Sequence, residues 1–188
     1  LAKQADAVML FFLFSDDELR RVFGRLGYEF PDDAARRTID YYDRRTSHGS
    51  TLSYITHAGV LARFDPDSSW ERFKTALGSD VHDIQGGTTR EGIHMGVMSG
   101  TVDLVQRFYA GMRVEGGMLR FDPNLPGGID GVSFNMTYLR SPLTVTVMRD
   151  EVVIHHRDGV IDSTPVRVCV CGQERMVEVG GEERFSLG

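Results

Sequence analysis

The hexapeptide Thr46-Ser47-His48-Gly49-Ser50-Thr51 stands directly before a run with apolar residues at Leu52, Ile55, Val60, Leu61 and Phe64. A helix start leaves four backbone N–H groups without partners and carries the positive end of the helix dipole. Hydroxyls, an imidazole and a bare glycine backbone at that point therefore suit an oxyanion such as phosphate. A plain Ser/Thr cap, with Gly49 supplying backbone freedom, accounts for the same six residues, and the hexapeptide alone leaves both readings open. A second polar loop, Asp83-Ile84-Gln85-Gly86-Gly87-Thr88-Thr89-Arg90-Glu91-Gly92, leads into Ile93-His94-Met95 in the same manner. If the helices form a ring, two such mouths could face one cavity. Gly92, Gly96 and Gly100 recur every fourth residue, which lets a neighbouring backbone or a ligand approach one face closely. Close helix packing is the reading favoured for Gly96, while Gly100-Thr101 stays open between packing and a ligand. Lys3-Gln4, before a wholly apolar stretch, supplies a cation and an amide able to grip sugar hydroxyls or an anion, although such a terminal pair is commonplace.

The remaining reactive side chains argue for little. His155 and His156 fall on opposite faces of an expected strand and read as surface or edge residues. His57 sits inside the helix that follows the hexapeptide, where a packed, hydrogen-bonded role is expected rather than catalysis. His48 and His94 each lie within or just after a polar loop. No His-Glu-x-x-His, paired-Cys or Asp-x-Asp-x-Asp pattern indicates a metal, and none is expected. Cys169 and Cys171, two apart in an expected strand, would point the same way, which is poor geometry for a mutual disulfide. They read as ordinary sheet residues in a reducing, cytoplasmic setting.

The elements that must position these groups divide in two. Residues 3–14, 17–24, 31–42, 52–64, 68–77 and 93–110 carry helical signals: apolar periodicity, Pro31 at a first turn, Ser68 or Ser69 as a cap. Ser15-Asp16-Asp17-Glu18 reads as a fresh helix cap. Residues 3–14 mimic a signal peptide superficially, but Asp6 interrupts the flank, no small-residue cleavage site follows, and the eight-residue apolar run is too short for a bilayer, which needs about 20. A buried core helix is expected there. After Gly116-Gly117 the period changes to two: Val132, Phe134, Met136 and Tyr138 alternate with Ser133, Asn135 and Thr137, then Leu143, Val145 and Val147 with Thr144 and Thr146. Further strands are expected at residues 152–155, 166–171 and 176–179. The fold class is thus an all-α unit, residues 1–114, followed by a small antiparallel β-sandwich, residues 115–188.

With 188 residues, 41% of them hydrophobic, the chain has material for a packed core. Its 27 acidic residues against 21 basic give a net charge of −6, and Lys/Arg runs do not exceed pairs, so neither nucleic acid nor membrane is an expected partner.

Several segments, in order, resemble the C-terminal part of glycoside hydrolase family 65, the α-glucoside phosphorylases of maltose, trehalose and kojibiose. They are Lys3-Gln4-Ala5-Asp6, the hexapeptide with Leu52-Ser53, Gly92-Ile93-His94, Gly100-Thr101, Phe108-Tyr109-Ala110-Gly111-Met112-Arg113 and Phe121-Asp122-Pro123-Asn124-Leu125-Pro126. The resemblance implies the closing helices of an (α/α)6 barrel followed by a β-sandwich, and a chain that is a piece of something longer, in keeping with its opening on Leu1. In such enzymes phosphate attacks the anomeric carbon while a Glu general acid protonates the departing oxygen, inverting configuration. By resemblance, Lys3 and Gln4 contact the glucosyl unit, Ser47, His48, Gly49 and Ser50 hold phosphate, and Gly100 and Thr101 line the site. The general-acid Glu is expected upstream of Leu1. Glu91, in the downstream loop, is not a substitute, and Arg90 and Gly87 depart from the family's usual loop pattern.

The expectation is therefore an inverting α-glucoside phosphorylase part, inactive alone, taking a disaccharide with inorganic phosphate as co-substrate and no cofactor. A hydrolase of the same fold would need a base carboxylate where phosphate sits, and residues 46–53 contain none. A non-catalytic carbohydrate-binding or structural module is the alternative from another class. Apolar faces at residues 7–14 and 102–108 would lack barrel partners, so self-association into a homo-oligomer is expected.

Overall fold

In the computed structural model the described residues are 2, 5–159 and 162–188. They divide into two compact units, Leu1–Leu104 and Val105–Gly188. Lys3 and Gln4, the residues expected to contact sugar, lie outside the described residues.

The first unit holds helices α1 (Asp6–Leu13), α2 (Asp16–Arg25), α3 (Ala34–Asp43), α4 (Leu52–Leu61), α5 (Pro66–Leu77) and α6 (Met95–Leu104). Helix α4 is central: Ser53 and every residue from Ile55 to Leu61 are buried, because its alanine, glycine and small polar residues let neighbours close around it. Ala5, Val8, Phe11, Leu19, Ala35, Ile39, Val60 and Leu61 form one apolar cluster, and Ile55, Ala76 and Val97 another. Each Val, Leu, Ile or Phe among them, fully buried, contributes about 1.5–3 kcal/mol before entropy is charged against it. Helix α1 buries Val8 and Phe11 but leaves Leu13 and Phe14 exposed, so its apolar composition covers one face rather than all of them.

Helix starts follow local chemistry. Ser15 and Glu18 form the expected capping box, the Glu18 N–H donating to Ser15 Oγ (3.3 Å) and the Ser15 N–H to Glu18 Oε2 (2.8 Å). Helix α5 begins earlier than expected. Pro66 occupies its first turn and Asp65 accepts from the Ser68 N–H (3.0 Å), while Ser69 is spent elsewhere, donating to the Ala58 carbonyl (2.7 Å) and tying α5 to α4. Pro31 heads a turn rather than a helix, with the Ala34 N–H donating to its carbonyl at 2.9 Å, and α3 starts at Ala34.

The second unit opens with one π-helical turn, Val105–Tyr109, where the expected helix 93–110 changes pitch. Eight strands follow: β1 (Met112–Glu115), β2 (Met118–Phe121), β3 (Gly131–Tyr138), β4 (Ser141–Met148), β5 (Glu151–His156), β6 (Val166–Val170), β7 (Gln173–Val177) and β8 (Glu182–Ser186). They make two four-stranded sheets, ordered β1-β2-β6-β7 and β3-β4-β5-β8. The second is wholly antiparallel, with the alternating residues Leu143, Val145 and Val147 of β4 facing the shared core. The first is mixed, a correction to the all-antiparallel expectation: β2 and β6 run parallel, Leu119 opposite Val168. Between them the chain leaves to build β3, β4 and β5, and that long excursion is what parallel pairing requires.

Gly111 explains part of the Phe108-to-Arg113 motif. Its φ is +66°, and a Cβ there would lie 2.0 Å from the Asp122 carbonyl oxygen, so only glycine permits this crossing of backbones. Two residue expectations change. His156 is fully buried, its ring nitrogens 3.2 Å from the Arg157 carbonyl and 3.1 Å from the Thr164 carbonyl, because β5 buries its even-numbered side chains. Cys171 lies past the end of β6 in a left-handed turn (φ 46°), and both cysteines are free thiols, Cys169 buried and Cys171 exposed.

Candidate functional site

The loop between α3 and α4 is pinned at its start and open at its centre. Ala2 runs parallel to Thr46: the Ala2 N–H donates to the Arg45 carbonyl and the Ser47 N–H to the Ala2 carbonyl, both at 2.9 Å. The residue before Lys3-Gln4 is therefore bound on either side of Thr46, to Arg45 and to Ser47. At the other end, the first-turn donors of α4 are already used. The Leu52 N–H meets Ser50 Oγ (3.3 Å), the Ser53 N–H the Ser50 carbonyl (3.0 Å) and the Tyr54 N–H the Thr51 carbonyl (3.1 Å). The free donors are thus not those of the helix itself. They belong to the loop: the N–H groups of His48, Gly49 and Ser50 reach no acceptor among the described residues. Gly49 is exposed and His48 and Ser50 half-buried, so solutes can reach these groups.

His48 itself adopts the left-handed conformation, φ 48°, a strained choice for a residue with a Cβ. Three contacts hold its ring. Tyr54 stacks on it with centroids 4.5 Å apart, His57 meets it edge-on at 4.9 Å, and Arg72 Nη1 lies 3.1 Å from its Nε2. Arg72 Nη2 also donates to Asp43 (2.8 Å), and Asp43 Oδ1 accepts from His57 Nδ1 (2.8 Å). Burial, aided by the charges of His57 and Arg72 and opposed by that of Asp43, lowers the His48 pKa to about 4. The ring is neutral at pH 7. Burial pushes the Asp43 carboxyl upward, but the hydrogen bond from His57 and the Arg72 charge outweigh it, and the net shift is downward.

The loop before α6 has a different interior. Asp83 accepts from the N–H groups of Gly87 (2.8 Å) and Thr89 (3.3 Å), and Asp80 accepts from the His94 N–H (2.9 Å) and its ring Nδ1. Two carboxylates thus fill the donors an anion would need. Gly96 and Gly100 face α4, where a Cβ would lie 3.5 Å from Leu52 and 2.9 Å from Ile55. Thr101 is buried and donates to the Met98 carbonyl (2.7 Å). Among the described residues no group of three or more His, Cys, Asp or Glu could hold a metal ion. No helix among them is long and apolar enough to cross a membrane.

Asp43, Arg72 and Tyr54 did not figure among the site residues expected from sequence. Tyr54 and His57, three apart on α4, share a helix face that periodicity could have flagged. Asp43 and Arg72 carry no such signal, since each is one charged residue among many until the helices are packed.

The description "Glycosyl hydrolase family 65 central catalytic domain" matches residues 1–103, and "Glycosyl hydrolase family 65, C-terminal domain" matches residues 112–175. The chain belongs to glycosyl hydrolase family 65. Within that family, an uncharacterized glycosyl hydrolase of Mycobacterium tuberculosis is 40% identical over 179 residues, covering 95% of this chain and 13% of that protein. Trehalose 6-phosphate phosphorylase of Lactococcus lactis is 34% identical over 188 residues, covering 100% of this chain and 24% of the relative. Kojibiose phosphorylase of Thermoanaerobacter brockii is 30% identical over 180 residues, or 95% and 21%. The chain therefore spans a quarter or less of the length of these family 65 relatives. A solved structure named "Putative kojibiose phosphorylase from human microbiome" shares the fold, with a TM-score of 0.73 at 23% identity over 98% of this chain and 22% of that one.

Proposed function

We propose that these residues supply the phosphate-receiving part of an inverting α-glucoside phosphorylase, with α1 to α6 as closing helices of an (α/α)6 barrel. The observation that carries this is the run of N–H donors at His48, Gly49 and Ser50 that meet no acceptor among the described residues, beside a ring whose Nδ1 is buried with no partner among them. Backbone donors of this kind bind an oxyanion without proton bookkeeping and are preorganised before it arrives. The relatives named as phosphorylases of trehalose 6-phosphate, kojibiose and maltose support the reaction class. In this reading Ser47 to Ser50 cradle phosphate, Gly100 and Thr101 line the site, and Lys3 and Gln4 meet the glucosyl unit. The general acid is a Glu outside this segment of sequence. The reaction takes a disaccharide and inorganic phosphate, needs no cofactor, and suits the cytoplasm, where the two free thiols stay reduced.

A hydrolase is disfavoured by the one carboxylate in the cluster. Asp43 is committed to His57 and Arg72, so it is poorly placed to deprotonate a water. To test the proposal, the longest natural polypeptide carrying these residues is assayed with trehalose, maltose, kojibiose and nigerose, with and without phosphate. Phosphate-dependent release of glucose 1-phosphate is expected from at least one of them. Cleavage at equal rates without phosphate would establish the hydrolase instead.

A further inference from the structure

The cluster behind the loop draws on three helices. Asp43 ends α3, Tyr54 and His57 lie on α4, and Arg72 lies on α5. A guanidinium has five N–H donors and no acceptor, so any ring nitrogen that it hydrogen-bonds must offer a lone pair. Arg72 Nη1 faces His48 Nε2 at 3.1 Å. The neutral His48 ring must then carry its proton on Nδ1, and Nδ1 is buried with no partner among the described residues. A buried N–H lacking an acceptor costs about 1–3 kcal/mol, a penalty that an oxyanion arriving in the loop would remove. Arg72 is itself fixed from behind, because its other terminal nitrogen reaches Asp43 at 2.8 Å and Asp43 is anchored to the fully buried His57.

We propose that Arg72 and Asp43 are a positioning pair that fixes the His48 tautomer, so that Nδ1–H, and not Nε2–H, points toward the loop's ligand. The pair does not touch the ligand in this scheme. It acts through the ring, as outer-shell partners commonly fix which nitrogen of an imidazole bears the proton. That the ligand is phosphate rests on the function proposed above; the tautomer does not.

The test uses the full chain with 15N-labelled histidine, where NMR distinguishes protonated from unprotonated ring nitrogens, and calorimetric titration with inorganic phosphate. Wild type is expected to show His48 protonated on Nδ1 at pH 7. Arg72→Met, which leaves nothing to donate to Nε2, is expected to move the proton to Nε2 and to weaken phosphate binding about tenfold, the loss of roughly one hydrogen bond to a charged group. Arg72→Lys keeps a donor-only group facing Nε2, with no acceptor that could favour Nε2–H, and is expected to restore the Nδ1–H form, which also guards against a misfolded Met variant. A wild-type ring protonated on Nε2, or an Nδ1–H form that persists in Arg72→Met, would overturn the positioning role. The expected tautomers with no phosphate affinity in wild type would overturn the phosphorolytic reading alone.

Discussion

Two loops of this molecule look alike as strings of residues and differ as structures. Residues 46–51 and 83–94 are both rich in Gly, Ser or Thr, both contain or adjoin a histidine, and both lead into a buried-faced helix. In the second, Asp80 and Asp83 turn inward and accept the N–H groups of Gly87, Thr89 and His94. In the first, the carboxylate nearby is Asp43, and its hydrogen bonds go to His57 and Arg72. An internal carboxylate at a helix mouth does what a bound anion would do, so the second loop is already satisfied at its backbone. The lesson is that the amides of a loop before a helix are open to an anion only where no acidic residue of the same loop has reached them first. Asp83, five residues before Thr88, marks that difference in the sequence itself.

The contrast predicts unequal effects on phosphate use, measured in the longest natural polypeptide carrying the chain. His48→Ala removes one donor and the stack on Tyr54, and is expected to raise the KM for phosphate by roughly 10- to 100-fold, with a much smaller change for disaccharide. Asp83→Asn alters the already satisfied loop and is expected to change the phosphate KM by no more than about twofold, while lowering the melting temperature. Steady-state kinetics over a matrix of both substrates separates the two. Equal effects of the two substitutions on phosphate would erase the distinction between the loops.

How far the sequence carried this reading depends on the element. The helices of the first unit and the strands β3, β4 and β5 were legible because each shows its own period, as Val132, Phe134, Met136 and Tyr138 do on β3. Strands β1, β2 and β8 were not foreseen. Four-residue strands are too short to display alternation, and β8 is an edge strand, Glu-Glu-Arg-Phe-Ser, in which only Phe185 is buried. His156 was misplaced because a histidine gives no sign of which face of a strand it takes. At the site, the loop residues were readable from type and spacing, whereas the Arg72–Asp43 pair depends on contacts 29 residues apart that only packing creates.

Gly100 sharpens the comparison at intermediate size. A Cβ at that position meets Ile55 Cγ2 at 2.9 Å, so Gly100→Ala must push α6 from α4 or rotate Ile55. A loss of about 1–3 kcal/mol in urea denaturation is expected from such overpacking. Because α4 begins where the Ser47-to-Ser50 loop ends, the displacement is expected to raise the phosphate KM as well, by less than His48→Ala does. An unchanged stability would remove the close-packing account of the Gly96-Gly100 stripe and return Gly100 to the role of a residue that merely leaves room for a ligand.

The smallest effect expected is a dependence of stability on pH that belongs to the first loop. In the folded chain burial, with the His57 and Arg72 charges, holds His48 near a pKa of about 4, against an unfolded value of 6.5. Between those values the unfolded chain binds the extra proton, so stability from this group is complete above 6.5 and drains away as pH falls toward 4. From pH 7 to pH 5 the unscreened loss is about 2 kcal/mol, and the half-exposed ring reduces it to about 1 kcal/mol. Asp43 does not confuse this window: its folded pKa is depressed, so its contribution persists above the ordinary carboxylate range and is lost only below it. Urea unfolding at the two pH values is expected to show wild type losing about 1 kcal/mol more than His48→Asn, which has no ring to protonate. Equal losses in the two chains would mean that burial among His57 and Arg72 does not hold the folded His48 ring below its ordinary value, and that the ring accepts a proton at pH 5 in place of the Arg72 hydrogen bond.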